Sequence, residues 1–349
     1  MHDRDKLYSL LGDLPPIDRP ISAKSLWVKN IDLNEESTKG TNSKNKGKHI
    51  GEPEKKAKSR GYILEKLLLD LNGEEAVPAY FVKPKTYEPA SYPESVKSSI
   101  SAESGENTEK KWPVVLFCHS HGGRYELGKD ELIKGNTYMY DPPYAEALTS
   151  AGYAALCIDS PIFGERHGRD ELDYFKETLW QGKVLWGLMV YDHLRAIDYL
   201  HMRTDVDTNR LATLGMSMGS TMSWWLAALD ERVKVCVDIC CMTDFQILIE
   251  KDGLAGHGIY YFVPSLLKYF DTIAINSMIA PRPHLSVNGA YDELTPEPGM
   301  DKINTAMQLI YDQKQAGSAW VLKKYPVKHE ETQEMRHEVM EFLRKYIVK

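Results

Sequence analysis

Arg210-Leu-Ala-Thr-Leu214 runs into Gly215-Met216-Ser217-Met218-Gly219, and Ser220–Leu229 continues as an apolar, helix-forming stretch holding Trp224, Trp225 and Leu226. The order is therefore short apolar strand, sharp turn, helix, with a glycine two residues to either side of a serine. By chance alone Gly-x-Ser-x-Gly turns up roughly a tenth of a time in a chain this long, so the strand-turn-helix setting carries the weight. In such a turn the backbone passes so close to its neighbours that a Cβ at either glycine would clash. The serine is then held in strained geometry, its hydroxyl exposed above a sheet and beside the positive end of a helix.

Outward from this turn the chain alternates between two kinds of segment. Pro113–Cys118, Tyr153–Ile158, Val233–Ile239 and His284–Val287 are short apolar runs rich in Val, Leu and Ile, as is Arg210–Leu214 itself. Between them lie Pro143–Ala151, a stretch with Trp186, Val190, Ile197 and Leu200 at helical spacing, and Ser217–Leu229. Strands that alternate with helices imply right-handed βαβ units and a mostly parallel sheet buried on both faces, with ligands at the carboxyl ends of its strands. Ahead of them, Tyr62–Leu71 and Ala76–Val82 flank Asn72-Gly73 and read as a leading N-terminal hairpin, because Asn-Gly favours two-residue turns.

The 349 residues are 42% hydrophobic and 27% charged, with 43 Lys+Arg against 50 Asp+Glu for a net −7. This composition excludes collagen-like and wholly disordered chains. A mildly acidic total also argues against a nucleic-acid partner, which asks for a basic face. No apolar run approaches the roughly 18–20 residues that span a bilayer, and no membrane partner is expected. Met1-His-Asp-Arg-Asp-Lys6 has no apolar stretch behind it, so a cytoplasmic location is expected. The five cysteines, Cys118, Cys157, Cys236, Cys240 and Cys241, lie in apolar stretches without CxxC spacing and read as buried free thiols.

Two stretches do not look like core. Residues 34–60 carry eight basic residues against four glutamates, a local charge of about +4 that leaves the rest of the chain near −11. Residues 85–111 are rich in Ser, Glu, Pro and Lys. Both read as mobile surface insertions, since loop closure costs little even for long loops; a basic docking tail is the other reading of the first. Residues 1–33 read as a helical or extended lead-in, 61–349 as one α/β domain, and 242–280 as a possible lid or pocket wall.

A serine hydroxyl needs a base, and the base needs an acid that fixes its tautomer. In this architecture they follow in the order Ser, Asp/Glu, His. Asn288-Gly-Ala-Tyr-Asp292 sits just past a strand end and makes Asp292 the expected acid, with Glu293 and Glu297 as neighbours expected to stay solvated and Asp244, past the preceding strand, as a minor alternative. Of the 11 histidines only His329 and His337 follow it; His329 lies in a polar turn after the strand-like Trp320–Tyr325, and His337 inside a terminal helix, so His329 is the expected base. Oxyanion donors are expected from the main-chain N–H of Met218 and from His119-Ser-His-Gly-Gly123, through His121 or Ser120. His119-x-His121 has no third ligand at readable spacing, so neither metal nor cofactor is expected. Arg166 reads as one half of a structural ion pair.

These segments resemble the α/β-hydrolase superfamily, and within it the dienelactone-hydrolase-like and acetyl-xylan-esterase-like serine hydrolases. The resemblance rests on Phe117-Cys-His-Ser-His-Gly-Gly123, Asp159-Ser-Pro-Ile-Phe-Gly-Glu-Arg166, Leu214-Gly-Met-Ser-Met-Gly219, Ala280-Pro-Arg-Pro283, Asn288-Gly-Ala-Tyr-Asp292 and His329-Glu-Glu-Thr332. It implies a Ser217, Asp292, His329 triad that cleaves a small-molecule carboxylic ester through an acyl-enzyme. Ser120 stands where relatives commonly carry glycine. A prolyl-oligopeptidase-like peptidase and a catalytically silent binding protein on the same scaffold are the alternative readings.

Overall fold

The computed structural model describes residues 3–33, 61–85 and 111–347. The polar stretches 34–60 and 85–111 lie outside these, apart from Lys85 and Lys111 at the margins. Among the described residues the strands are β1 (Ser22–Asp32), β2 (Gly61–Asp70), β3 (Ala76–Pro84), β4 (Trp112–Cys118), β5 (Ala154–Ile158), β6 (Val206–Met216), β7 (Val235–Ile239), β8 (His284–Gly289) and β9 (Trp320–Tyr325). They form one sheet in the order β1-β2-β3-β5-β4-β6-β7-β8-β9. From β5 to β9 every neighbouring pair is parallel, whereas β1, β2 and β3 add antiparallel strands at one edge. This is the expected α/β-hydrolase architecture.

The helices are α1 (Asp3–Ser9), α2 (Glu131–Lys134), α3 (Tyr144–Ser150), α4 (Glu171–Trp180), α5 (Leu185–Met202), α6 (Met218–Leu229), α7 (Phe245–Glu250), α8 (Thr272–Ser277), α9 (Glu297–Gln313) and α10 (Gln333–Ile347). They cover both faces of the sheet. On one face α1, α5, α6 and α9 pack on Val114, Leu116, Ala154, Leu156 and Leu211. On the other α3 and α10 pack on Val115, Phe117, Ala155, Ala212 and Leu214. Adjacent residues of one strand thus serve opposite cores, which is why the central strands read as unbroken apolar runs.

The leading hairpin is β2 and β3, but its turn differs from the expected one. Asp70 pairs with Ala76, so five residues connect the strands instead of two. Asn72 accounts for the longer loop: its Oδ1 accepts the N–H groups of Glu74 and Glu75 at 2.9 and 3.0 Å, and its Nδ2 donates to the buried Asp192 at 2.8 Å. A side chain that caps its own loop and ties it to α5 outweighs the local preference for a tight turn. β1 then extends the hairpin to three antiparallel strands. Its residues are exposed along most of their length, so it lacks the alternation that announces a strand.

Arg282 of Ala280-Pro-Arg-Pro283 has a structural explanation. Its guanidinium donates to the carbonyls of Ala227 and Val233 at 2.5 and 2.6 Å, and Arg4 donates to Ala228 at 2.8 Å. Two cations therefore satisfy the orphan carbonyls at the end of α6. Among the described residues no helix is long and apolar enough to cross a membrane. All five cysteines are buried and unpaired.

His193 in α5 is wholly buried; its Nδ1–H donates to the Met189 carbonyl at 2.8 Å, Nε2 has no partner among the described residues, and burial lowers its pKa to about 4. The unfolded chain takes up a proton on this ring below about 6.5, the folded protein only near 4. Stability due to this ring is whole above pH 6.5 and is lost as the pH falls towards 4. Unfolding free energy measured in urea between pH 6.5 and 4 should lose about 1.4 kcal/mol per pH unit through this ring, and His193→Leu should flatten the slope by that amount.

Candidate active site

Ser217 caps α6 with φ +57° and ψ −119°, a conformation few non-glycine residues adopt. Its own N–H donates to Ile239 O of β7 at 2.8 Å, and its carbonyl accepts Thr221 N–H at 3.2 Å. The two glycines are required by space. A Cβ on Gly219 would lie 1.9 Å from Cys118 O, and one on Gly215 would lie 2.4 Å from the Gly219 carbonyl and 2.5 Å from Cys118 O. The turn thus wedges the start of α6 against the end of β4. Met218, the first helical residue, has a main-chain N–H with no acceptor among the described residues.

Asp292 and His329 are brought together. His329 Nδ1 lies 2.7 Å from Asp292 Oδ2, while Asp292 Oδ1 accepts Leu294 N–H at 2.9 Å. The carboxylate only accepts, so Nδ1 carries the hydrogen and Nε2 is left with its lone pair. The Asp292 side chain is 1% exposed and that of His329 22%, so the carboxylate is enclosed and the imidazole reaches solvent. Their loops are zipped together by Ala290 N–H to Tyr325 O at 2.7 Å and Tyr291 N–H to Val327 O at 2.9 Å. Glu331, two residues past His329, is buried against Tyr144 Oη at 2.5 Å and Arg336 at 2.7 Å, and its N–H donates to Tyr138 O. Ser217, Asp292 and His329 therefore follow the carboxyl ends of β6, β8 and β9.

The other candidates are engaged elsewhere. Asp244 caps α7 through Ile247 N–H and pairs with Lys302 at 2.9 Å; Glu297 pairs with Lys324 at 2.6 Å; Glu293 and His337 are exposed. A second Asp–His pair, Asp238 with His284 at 2.6 Å, was not legible in the sequence. It lies wholly buried inside the sheet, where Asp238 also accepts from Ser286 at 2.7 Å, so no substrate reaches it.

In the loop after β4, Ser120 N–H donates to Glu131 Oε1 at 2.8 Å and Ser120 Oγ to Glu131 Oε2 at 2.5 Å. Asn136 completes the set on Glu131 at 2.9 Å, and Tyr138 Oη meets Ser120 Oγ at 2.5 Å. Glu131 is fully buried without a cation partner among the described residues, and burial raises its pKa. Ser120 N–H, one of the two donors expected from this loop, is thereby engaged by Glu131, and the Ser120 hydroxyl joins the same network. His121 N–H has no acceptor among the described residues. His119 has both ring nitrogens engaged, Nδ1 with Ser120 O at 2.9 Å and Nε2 with Ser160 N–H at 3.1 Å. Burial pushes it down to about 3, so it stays neutral.

Two further ion pairs brace the surrounding loops. Buried Lys129 holds Asp159 at 3.0 Å and Glu165 at 2.6 Å, joining the loops after β4 and β5. Arg166 pairs with Asp192 at 2.7 Å and with Glu75, and donates to Asp159 O at 2.8 Å, as a structural ion pair should. Within 242–280, the turn Ile259–Tyr261 packs on the loop after β4: Tyr260 Oη is 2.8 Å from His121 Nε2, and Phe163 and Trp186 flank the Tyr260 ring. Glu131, Tyr138, Lys129 and Tyr260 were missed in the sequence because each acts through a contact distant along the chain.

No family model matches the chain. The Bacillus subtilis (strain 168) protein "Putative hydrolase YtaP" is 44% identical over 344 residues, covering 99% of this chain and 98% of that one. The chain belongs to the YtaP family. Among solved structures, a glucuronoyl esterase from Solibacter usitatus superposes with a TM-score of 0.63 at 12% identity, over 98% of this chain and 91% of that one. The acetyl xylan esterase from Paenibacillus sp. R4 does so with a TM-score of 0.57 at 16% identity, over 99% and 95%. At such identities the likeness is one of fold.

Because the Gly219 site has no room for a methyl group, Gly219→Ala should lower the unfolding free energy by about 2–3 kcal/mol, the cost of overpacking a close-packed site. Urea denaturation checks this; an unchanged midpoint would mean that the turn opens freely.

Proposed function

We propose that this protein is a serine hydrolase of carboxylic esters that works through an acyl-enzyme. The observation that carries the reading is the 2.7 Å Asp292–His329 pair, which with the strained Ser217 follows the carboxyl ends of β8, β9 and β6 of one sheet. His329 Nε2 takes the Ser217 hydroxyl proton as Oγ attacks the acyl carbon. The main-chain N–H groups of Met218 and His121 receive the oxyanion, and the imidazolium returns its proton to the departing alcohol. Water, activated by the same imidazole, then releases the acid. Asp292 holds the tautomer throughout and stabilises the imidazolium.

Membership of a family whose Bacillus subtilis member is called a hydrolase supports the reaction class. The esterase and acetyl xylan esterase names of the structural neighbours favour esters, and a place beside the dienelactone-hydrolase-like and acetyl-xylan-esterase-like enzymes. Five unpaired buried thiols suit a reducing, cytoplasmic compartment.

With p-nitrophenyl acetate as substrate, Ser217→Ala should lose nearly all turnover while keeping its fold, and Asp292→Asn should lower kcat about 10⁴-fold by stabilising the wrong tautomer. A fluorophosphonate probe should label the wild type and spare Ser217→Ala. Full turnover in the alanine variant would overturn the assignment.

A further inference from the structure

The hydrogen-bond directions around His121 leave one donor unspent. Gly123 N–H donates to His121 Nδ1 at 3.0 Å, so that nitrogen carries no hydrogen. Burial lowers the His121 pKa, which keeps the ring neutral with its single hydrogen on Nε2. Nε2–H therefore donates to Tyr260 Oη at 2.8 Å, and the hydroxyl acts there as an acceptor. The hydrogen of Tyr260 itself then has no acceptor among the described residues. The nearby Glu171 is spent on Tyr260 N–H at 3.1 Å and on Tyr125 Oη.

The position of this hydroxyl is bracketed by its neighbours. On one side is His121, whose main-chain N–H is an oxyanion donor in the proposed mechanism. On the other is Cys241, which interacts electrostatically with Tyr260 and lies two residues past Ile239, whose carbonyl accepts Ser217 N–H at 2.8 Å. Tyr138, which also interacts with Tyr260, lies 5.8 Å ring to ring from His329. Tyr260 is 4% exposed, and Phe163 and Trp186 hold its ring. A buried hydroxyl held by one acceptor contact, with its own hydrogen unpartnered, is costly unless something else takes that hydrogen.

We propose that Tyr260 Oη–H is a third, side-chain donor to the substrate oxyanion, supplied by the 242–280 segment and aimed by the His121 ring. This rests on the esterase reading of Ser217. The hydroxyl transfers no proton; it only strengthens its hydrogen bond as charge develops on the carbonyl oxygen. The segment that walls the site thus also carries a residue of its chemistry.

The test uses the full-length chain with p-nitrophenyl acetate, and an alkylboronic acid as a tetrahedral mimic. Tyr260→Phe keeps the ring and removes the donor. It should lower kcat about 10²-fold or more, the usual loss for one oxyanion donor, with KM within about threefold and boronate affinity falling by a comparable factor. A boronate affinity left unchanged in Tyr260→Phe would mean that the hydroxyl does not meet the oxyanion and would overturn the proposal. Wild-type turnover with an unchanged Tyr260→Phe kcat overturns it too, while leaving Ser217 as nucleophile. A wild type that cleaves no ester overturns both readings.

Discussion

The carbonyl oxygen of Cys118 leaves no room for a methyl group on Gly219, and the rest of the site depends on that close approach. It locks the end of β4 to the first turn of α6, the two places that supply the N–H groups of His121 and Met218, which have no acceptor among the described residues. A residue with a Cβ would push them apart and force Ser217 out of its positive-φ conformation. The strain at Ser217 persists because β7 holds its N–H and the glycines on either side let the backbone close.

Around that contact the loops are fixed by charges taken out of water. Glu131 holds Ser120, Lys129 joins Asp159 and Glu165, and Glu331 with Arg336 ties the His329 loop to the segment near Tyr140. Glu131, Lys129, Asp159, Glu331 and Arg336 are buried and would be costly if unpaired, so their partners are strongly specified. The consequence is a set of dipoles fixed within the fold, which is what the proposed stabilisation of an oxyanion requires. Asp238 and His284 are the contrast: a pair with similar chemistry that sits inside the sheet and serves its cohesion.

Much of this was legible in the sequence, for physical reasons. Strands covered on both faces must be apolar at every position, so β4, β5 and β7 stood out as runs. The glycines around Ser217 are dictated by local space, so the motif survives translation into geometry. Exposed β1 follows no such rule and went unseen, and the Asn72-Gly73 turn lengthened because Asn72 bonds to Asp192 across 120 positions. The pairing of Asp292 with His329 at 2.7 Å was readable because chain order and strand ends limit the choice. Glu131 and Tyr260 were not, since neither a lone glutamate nor a tyrosine among aromatics signals a partner 11 or 139 residues away.

The central claim is that Ser217 becomes covalently acylated. Mixing the protein with an ester that deacylates slowly, quenching in acid, and following intact mass and then the modified peptide tests it most directly. The account predicts one acyl group per chain, carried on the peptide that contains Ser217 and lost with time at neutral pH. Ester turnover with no acylated protein at any quench time, or an acyl group carried stably on another residue, would contradict it.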